Sequence, residues 1–541
     1  MKALFCVAAV LMSALPARAQ DGHEGHDLGT VAFEINCSQE GQVRFNRATA
    51  WLHSFEYEEA EKTYVEAAAA DPTCAMAHWG VAMSNYHPLW APPTALELEK
   101  GRQAIARAKA IGAPTDRERA YIAAADAFYT GADGRSHQSR TLAYVEAMKA
   151  LHERFPDDQE GGVFYALALI AAGTMDADET YARETEAAGI LNLVLARAPN
   201  HPGVSHYLIH SYDYPALAHH ALPAARSYAA IAPASAHAQH MPSHIFTRLG
   251  LWEEAIRSDL KAAAAARAYA VSHGMAGAWD EQLHAMDYLV YAYLQLAQDD
   301  KARAVLDELS ALNRVDPPNF KVAYAMSAIP ARVALERRQW AEAAALTLPA
   351  PNRAAVPWAR FRWAEAHIHF ARAVGAARTG KTDLARNEIA ALDEIRKSLP
   401  PRPGEYDWGK QVEIHQRIAA AWLAWADGQK ERSVELMRAA AELDDATEKH
   451  PVTPGSILPA REQLGELLLV SNRPAEALVE YKISLGRAPG RIAGLHGAAL
   501  AAELTGDQVE ARRYRSLLPL CGKGCARGEL ALATSPGGKA P

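Results

Sequence analysis

Apolar and polar positions in this chain do not alternate with the two-residue rhythm of strands; they recur in helical blocks at a fixed interval. An aromatic residue, an acid and an alanine come together in FEYEEA (55–60), GLWEEA (250–255) and RQWAEA (338–343), and the acid–alanine pair returns at Glu476–Ala477 and Glu510–Ala511. A proline follows an alanine by twelve residues at Ala60/Pro72, Ala187/Pro199, Ala221/Pro233 and Ala477/Pro489, and the second and third of these pairs lie 34 residues apart. A small residue lets the second helix of an antiparallel pair approach the first, and the proline ends that helix and passes the chain to the next unit. Alanine-rich runs such as KAAAAARAYA (261–270) fit closely packed helices. The pattern predicts an all-α solenoid of about twelve antiparallel helix pairs, each burying its apolar face only against its neighbours.

The 34-residue unit resembles the tetratricopeptide repeat (TPR) family. With the alanine at position 20, frames begin near Gly41, Ala75, Pro202, Ala236, Leu283, Tyr324, Ala366, Ile414, Leu458 and Ile492, and 115–150 and 158–201 fit as divergent pairs. The solenoid is expected over 41–525, with candidate breaks at the proline-rich stretches near 88–114 and 399–413. Some blocks are not required by an ordinary repeat: WLHSFEYEEA (51–60), DPTCAMAHWG (71–80), HYLIHSYDYP (206–215), HMPSHIF (240–246), MDYLVYAYLQ (286–295) and KHPVTPGSILPAREQLG (449–465). They resemble a group of large exported bacterial TPR proteins. That likeness implies fold and compartment but little chemistry.

The first residues agree with export. Lys2, the apolar stretch Ala3–Leu15 and the small-x-small site Ala17-Arg18-Ala19 form a signal peptide over 1–19, so a periplasmic or secreted location is expected, with residues 20–40 as an N-terminal tail and 526–541 as a disordered C-terminal one. In an oxidising compartment the four remaining cysteines read as two disulfides, Cys37 with Cys74 and Cys521 with Cys525. Without residues 1–19, 54 basic residues face 64 acidic ones, a net charge of −10. An acidic chain without a basic run lacks the footprint that nucleic acid demands, and no segment approaches the roughly 20 apolar residues of a membrane span. The residues required by dinucleotide, P-loop, serine-hydrolase, HExxH zinc-peptidase and CxxC chemistries are missing.

Histidine is where chemistry concentrates. Eight of the 22 histidines fall within 201–244. His206 and His210 are four apart, as are His240 and His244, and that step puts two imidazoles on one helical face. The two pairs are also 34 residues apart, in register between consecutive units. The family resemblance implies that positions two, five, nine and twelve of each first helix line the concave groove. His206, His210 and Asp213 take five, nine and twelve of one unit; His237, His240 and His244 take two, five and nine of the next. His284, Asp287 and Tyr291 take the same places in the following unit, as a third side or outer shell. A transition metal shared by His206, His210, His240 and His244 is expected, with Asp213 and His237 as further ligands; Zn, Cu, Ni and Fe all suit imidazole. Unperturbed imidazoles would release it below about pH 6.5. The competing reading is a polar groove satisfied by hydrogen bonds. Pro242 interrupts the second HxxxH and is tolerable if the helix starts near His240. His53 and His87, also 34 apart, read as structural; Arg332, and Arg461 with Glu462, could meet a carboxylate in the groove. The function expected is an exported scaffold binding a protein or peptide in a metal-bearing groove, with a metal-dependent hydrolase as the alternative.

Overall fold

The computed structural model describes residues 28–519 apart from 176, 177, 179 and 349–355. The predicted signal peptide, the Cys521–Cys525 pair and the C-terminal tail lie outside these residues. The architecture is the predicted all-α superhelical solenoid: antiparallel helix pairs follow one another from Gln39–His53 with Tyr57–Ala70 to Ile492–Leu504 with Gln508–Ser516. Helices begin at Ala75, Pro202, Ala236 and Ile492, where frames were laid, and elsewhere within six residues of the expected start. Strand is confined, among the described residues, to a two-residue parallel pairing of Ala278–Trp279 with Val315–Asp316.

Eight of the pairs share one turn between their helices, in which a single residue takes a left-handed backbone. Glycine supplies it at Gly250, Gly380, Gly428 and Gly506, whereas Phe55, Ala297, Arg338 and Asn472 adopt it at φ of 53–57° despite their side chains. A bulky residue there costs on the order of 1 kcal/mol or more, so Phe55 at φ 56° is placed for what its ring does. Gly250 has no such freedom to change, because an added Cβ would lie 2.4 Å from the Pro489 carbonyl oxygen.

That last contact reveals how tightly the superhelix curls. The Trp252 indole donates to the Gly490 carbonyl (2.9 Å), Ile492 N–H reaches the Gln295 side chain (3.1 Å), and buried Arg491 pairs with Glu462 and Glu336. Two loops enter the concave side and meet there: the His450 Nε2–H group donates to the Trp90 carbonyl at 3.1 Å. The described part of the expected N-terminal tail is likewise packed, with Leu28 and Phe33 buried. Thr30 N–H bonds the Asn200 carbonyl, and Cys37 is disulfide-linked to Cys74 with Cα atoms 5.0 Å apart, within the usual span for such a bond.

Candidate metal centre

The positions expected to line an open groove are instead buried, because the loops around Trp90 and Lys449–His450 fill the concave side. His206 and His210 stand one turn apart on Pro202–Tyr212, a helix begun by Pro202 and by His201, whose Nδ1 accepts from Val204 N–H. Ser235 caps the next helix at Ala236, where the frame was laid and ahead of the His240 start that would put Pro242 in a first turn, and the chain passes through Met241 into Pro242–Arg248 without leaving helical dihedrals. Pro242 therefore splits the helix and still leaves His240 and His244 on one face.

The six histidines do not converge on one point. They form two neighbouring tiers: His206, His210 and His237 in one, His240, His244 and His284 in the other, each with donor atoms within 4.8 Å of one another. This corrects the expected four-histidine ion, and it moves His284 from an outer position into a triad. Asp213 is not free to ligate, since its oxygens accept from His244 Nδ1 (3.0 Å), Arg248 Nε (2.8 Å) and Lys449 Nζ (2.8 Å). Tyr291 belongs elsewhere: its hydroxyl accepts from Arg491 at 2.8 Å, and Arg332 lies over its ring. Asp287 is buried nearby with one oxygen lacking any partner, and burial raises its carboxyl to about 6.

Hydrogen positions decide what the second tier can do. Lys449 and Arg248 hold Asp213 ionised, well below the ordinary carboxylate range, against the burial that would raise it. An ionised carboxylate only accepts, so His244 carries its hydrogen on Nδ1 and its Nε2 is a bare lone pair. His240 Nδ1 lies 2.6 Å from Asp259 Oδ1, and its Nε2 faces His244 Nε2 at 3.0 Å. Asp259 sets the other half: ionised, it keeps the His240 hydrogen on Nδ1 and two lone pairs point at each other; protonated, as burial favours, it lets His240 Nε2–H donate to His244. Two nitrogens about 2.0–2.1 Å from a tetrahedral ion would stand roughly 3.3 Å apart, close to what is found. Carboxylates behind ligating imidazoles are the usual outer shell of such sites. Burial keeps the imidazoles uncharged, as ligands must be: His240 and His284 are held well below their ordinary value by burial and by neighbouring imidazoles, and His244 falls to about 4.

Charge around the tier is mixed: Arg248 and Lys449 stand behind His244, Lys321 acts on His240 and His284, and Arg332 acts on Asp287. Burial pushes the Asp259 carboxyl well up, its Oδ2 has no partner, and among the described residues neither it nor Asp287 has an ion-pair partner. A bound cation would offset both. The Tyr288 hydroxyl lies 3.3 Å from each nitrogen of His244.

A third cluster, His53, Glu160 and His201, has equal spacing and opposite character. His53 Nε2 and His201 Nε2 both donate to Glu160, at 3.0 and 2.9 Å, while His53 Nδ1 meets the Tyr207 hydroxyl at 2.9 Å. No lone pair is left over, so the cluster is a closed hydrogen-bond network. His53 thus fits the structural reading, although its carbonyl also accepts from His206 Nδ1 at 2.6 Å. His87 is separate, paired with Glu97. Arg461 is paired with Asp445 and Glu480, and Arg332 holds the Gly455 and Ser456 carbonyls, so neither is free for an outside carboxylate.

Sequence reasoning missed Asp259, Tyr288, Lys449, Arg248 and Glu160. Lys449 does fall in a block that an ordinary repeat does not need, and that was its only signal. Beyond Asp213 lies a cavity of about 100 Å³ lined by Thr247, Arg248, Tyr291, Lys449 and Arg461, well under the roughly 300 Å³ at which pockets begin to hold drug-sized ligands.

No protein-family model and no curated protein matches the chain. Similar solved structures include a human IFIT1 dimer with m7Gppp-AAAA, at 12% identity over 86% of this chain and 93% of that one, TM-score 0.38. Yeast Tom70 is 10% identical over 88% and 92%, TM-score 0.28, and the P58(IPK) TPR domain 10% identical over 86% and 98%, TM-score 0.21. The likeness concerns the fold alone, a TPR-like helical solenoid. Among the described residues no helix is long and apolar enough to cross a membrane.

Proposed function

We propose that this is an exported TPR-like metalloprotein that holds a transition-metal ion in its closed interior, on His240, His244 and His284. The observation that carries the reading is the pair of Nε2 atoms facing at 3.0 Å while Asp259 and Asp213 engage the opposite nitrogens. Neutral imidazoles suit Zn, Cu, Ni or Fe. The signal-like first residues and the Cys37–Cys74 bond support an oxidising, exported setting. A filled interior disfavours a peptide bound along the concave face. Three protein ligands leave a coordination position open, which suits metal-assisted hydrolysis of a small molecule better than that of a polypeptide.

Protein purified from its native compartment should carry at least one equivalent of transition metal, and chelation should lower its melting temperature, because the ion binds only the folded array. Replacing His240 and His244 with alanine together should abolish retention at this site. Protein that neither carries nor takes up Zn²⁺, Cu²⁺, Ni²⁺ or Fe²⁺ overturns the reading.

A further inference from the structure

The first tier repeats the logic of the second with different partners. The His53 carbonyl can only accept, so the 2.6 Å contact fixes the hydrogen of His206 on Nδ1 and bares its Nε2, which faces His210 Nε2 at 3.1 Å. The third member supplies an independent sign. His237 is buried, yet its Nε2 has no hydrogen-bond partner, and a buried polar atom without one destabilises the fold. His237 belongs to the same donor triad as His206 and His210.

The two tiers share a wall. His237 ends on one tier and His240, three residues on, belongs to the other; a helix advances roughly 4.5 Å over that step. Ring centroids across the boundary, His237 to His240 and His210 to His244, are each 6.2 Å apart. Over the first tier lie the rings of Phe55, 4.3 Å from His206, and Trp90, 5.8 Å from His237. These rings exclude water, and the strained left-handed backbone at Phe55 is what delivers one of them.

We propose that His206, His210 and His237 hold a second ion, and that the two triads together form a binuclear centre with three imidazoles on each metal. Copper is the ion it fits best: all six donors are imidazole nitrogens with no carboxylate among them, and divalent affinity at nitrogen sites peaks at copper. The inference rests on the metal reading of the second tier.

Metal-free full-length protein titrated with Cu²⁺ should bind two equivalents, and the doubly loaded sample should show a dipolar-broadened or diminished electron paramagnetic resonance signal. His237→Gln, which removes an atom that bonds nothing, should bind one equivalent with the sharp spectrum of an isolated Cu²⁺; His206→Gln is the second variant, and circular dichroism melts of each metal-free variant confirm that it folds. One equivalent in the unaltered protein, or two equivalents with two isolated spectra, overturns the binuclear centre while leaving the second tier intact. No bound copper at all overturns the single-ion reading as well.

Discussion

Two three-residue clusters sit in the same interior, on different helices, and differ in where their hydrogens lie. In His53–Glu160–His201 a carboxylate stands between two imidazoles and accepts from both. In His240–His244–His284 carboxylates stand behind His240 and His244, and ionised Asp213 leaves the His244 lone pair facing inward. Spacing and burial are alike in both; the placement of hydrogens separates a network that is complete from one that calls for a cation. Counting nearby histidines would have missed the distinction.

The comparison breaks most visibly at Glu160. Glu160→Ala leaves two buried imidazoles without their acceptor and should cost about 3–5 kcal/mol in chemical denaturation, with bound metal unchanged in the protein that remains folded. If Glu160→Ala released an ion, the closed network would be a metal site after all.

Acid sharpens the contrast next. His53, His206, His210, His240 and His284 are held below their ordinary value, burial being the main cause, and His244 is near 4. Unfolded histidine takes up a proton near 6.5, so these groups favour the folded state fully above that pH. The stability is lost as pH falls from 6.5 toward the folded values. Each group lowered by more than 1.5 units should weaken the fold by up to about 2 kcal/mol between pH 6.5 and 5. Metal release is therefore expected to follow unfolding and not an imidazole titration near 6.5. Release from folded protein at pH 6, followed by circular dichroism and metal analysis together, would refute this.

Asp259→Asn tests the acceptor behind His240. Metal affinity should fall roughly 10–100-fold, whereas the metal-free protein should be no less stable, because an uncompensated buried acid is gone. The smallest change is expected at Tyr288→Phe, within about 1 kcal/mol in either stability or metal affinity, since its hydroxyl only approaches His244 from the side. A loss as large as that of Asp259→Asn would promote Tyr288 to a part of the site.

The repeat, the helix starts and the two HxxxH pairs were legible because they are periodic: the 34-residue register carries His206 onto His240 and His210 onto His244. Asp259 and Glu160 were not, because each reaches its histidines from another helix, where it breaks no pattern. The groove was misjudged for a related reason. Position within a repeat says which way a side chain points; it does not say that loops from residues 90 and 450 will come to rest in front of it. The sharing of one ion by four histidines failed on the same ground, since His237 and His284 completed separate triads.

The seal behind Asp213 has a kinetic consequence. Lys449 reaches Asp213 from 236 residues away, and Glu448 reaches Arg248 from 200, so this wall exists only after the C-terminal third has docked. Before then an ion has an open route to the histidines; afterwards it must wait for the docked segment to open. An ion held as proposed would therefore load fast in the nascent chain and exchange slowly in the finished one, with a lifetime set by local opening and not by coordination strength.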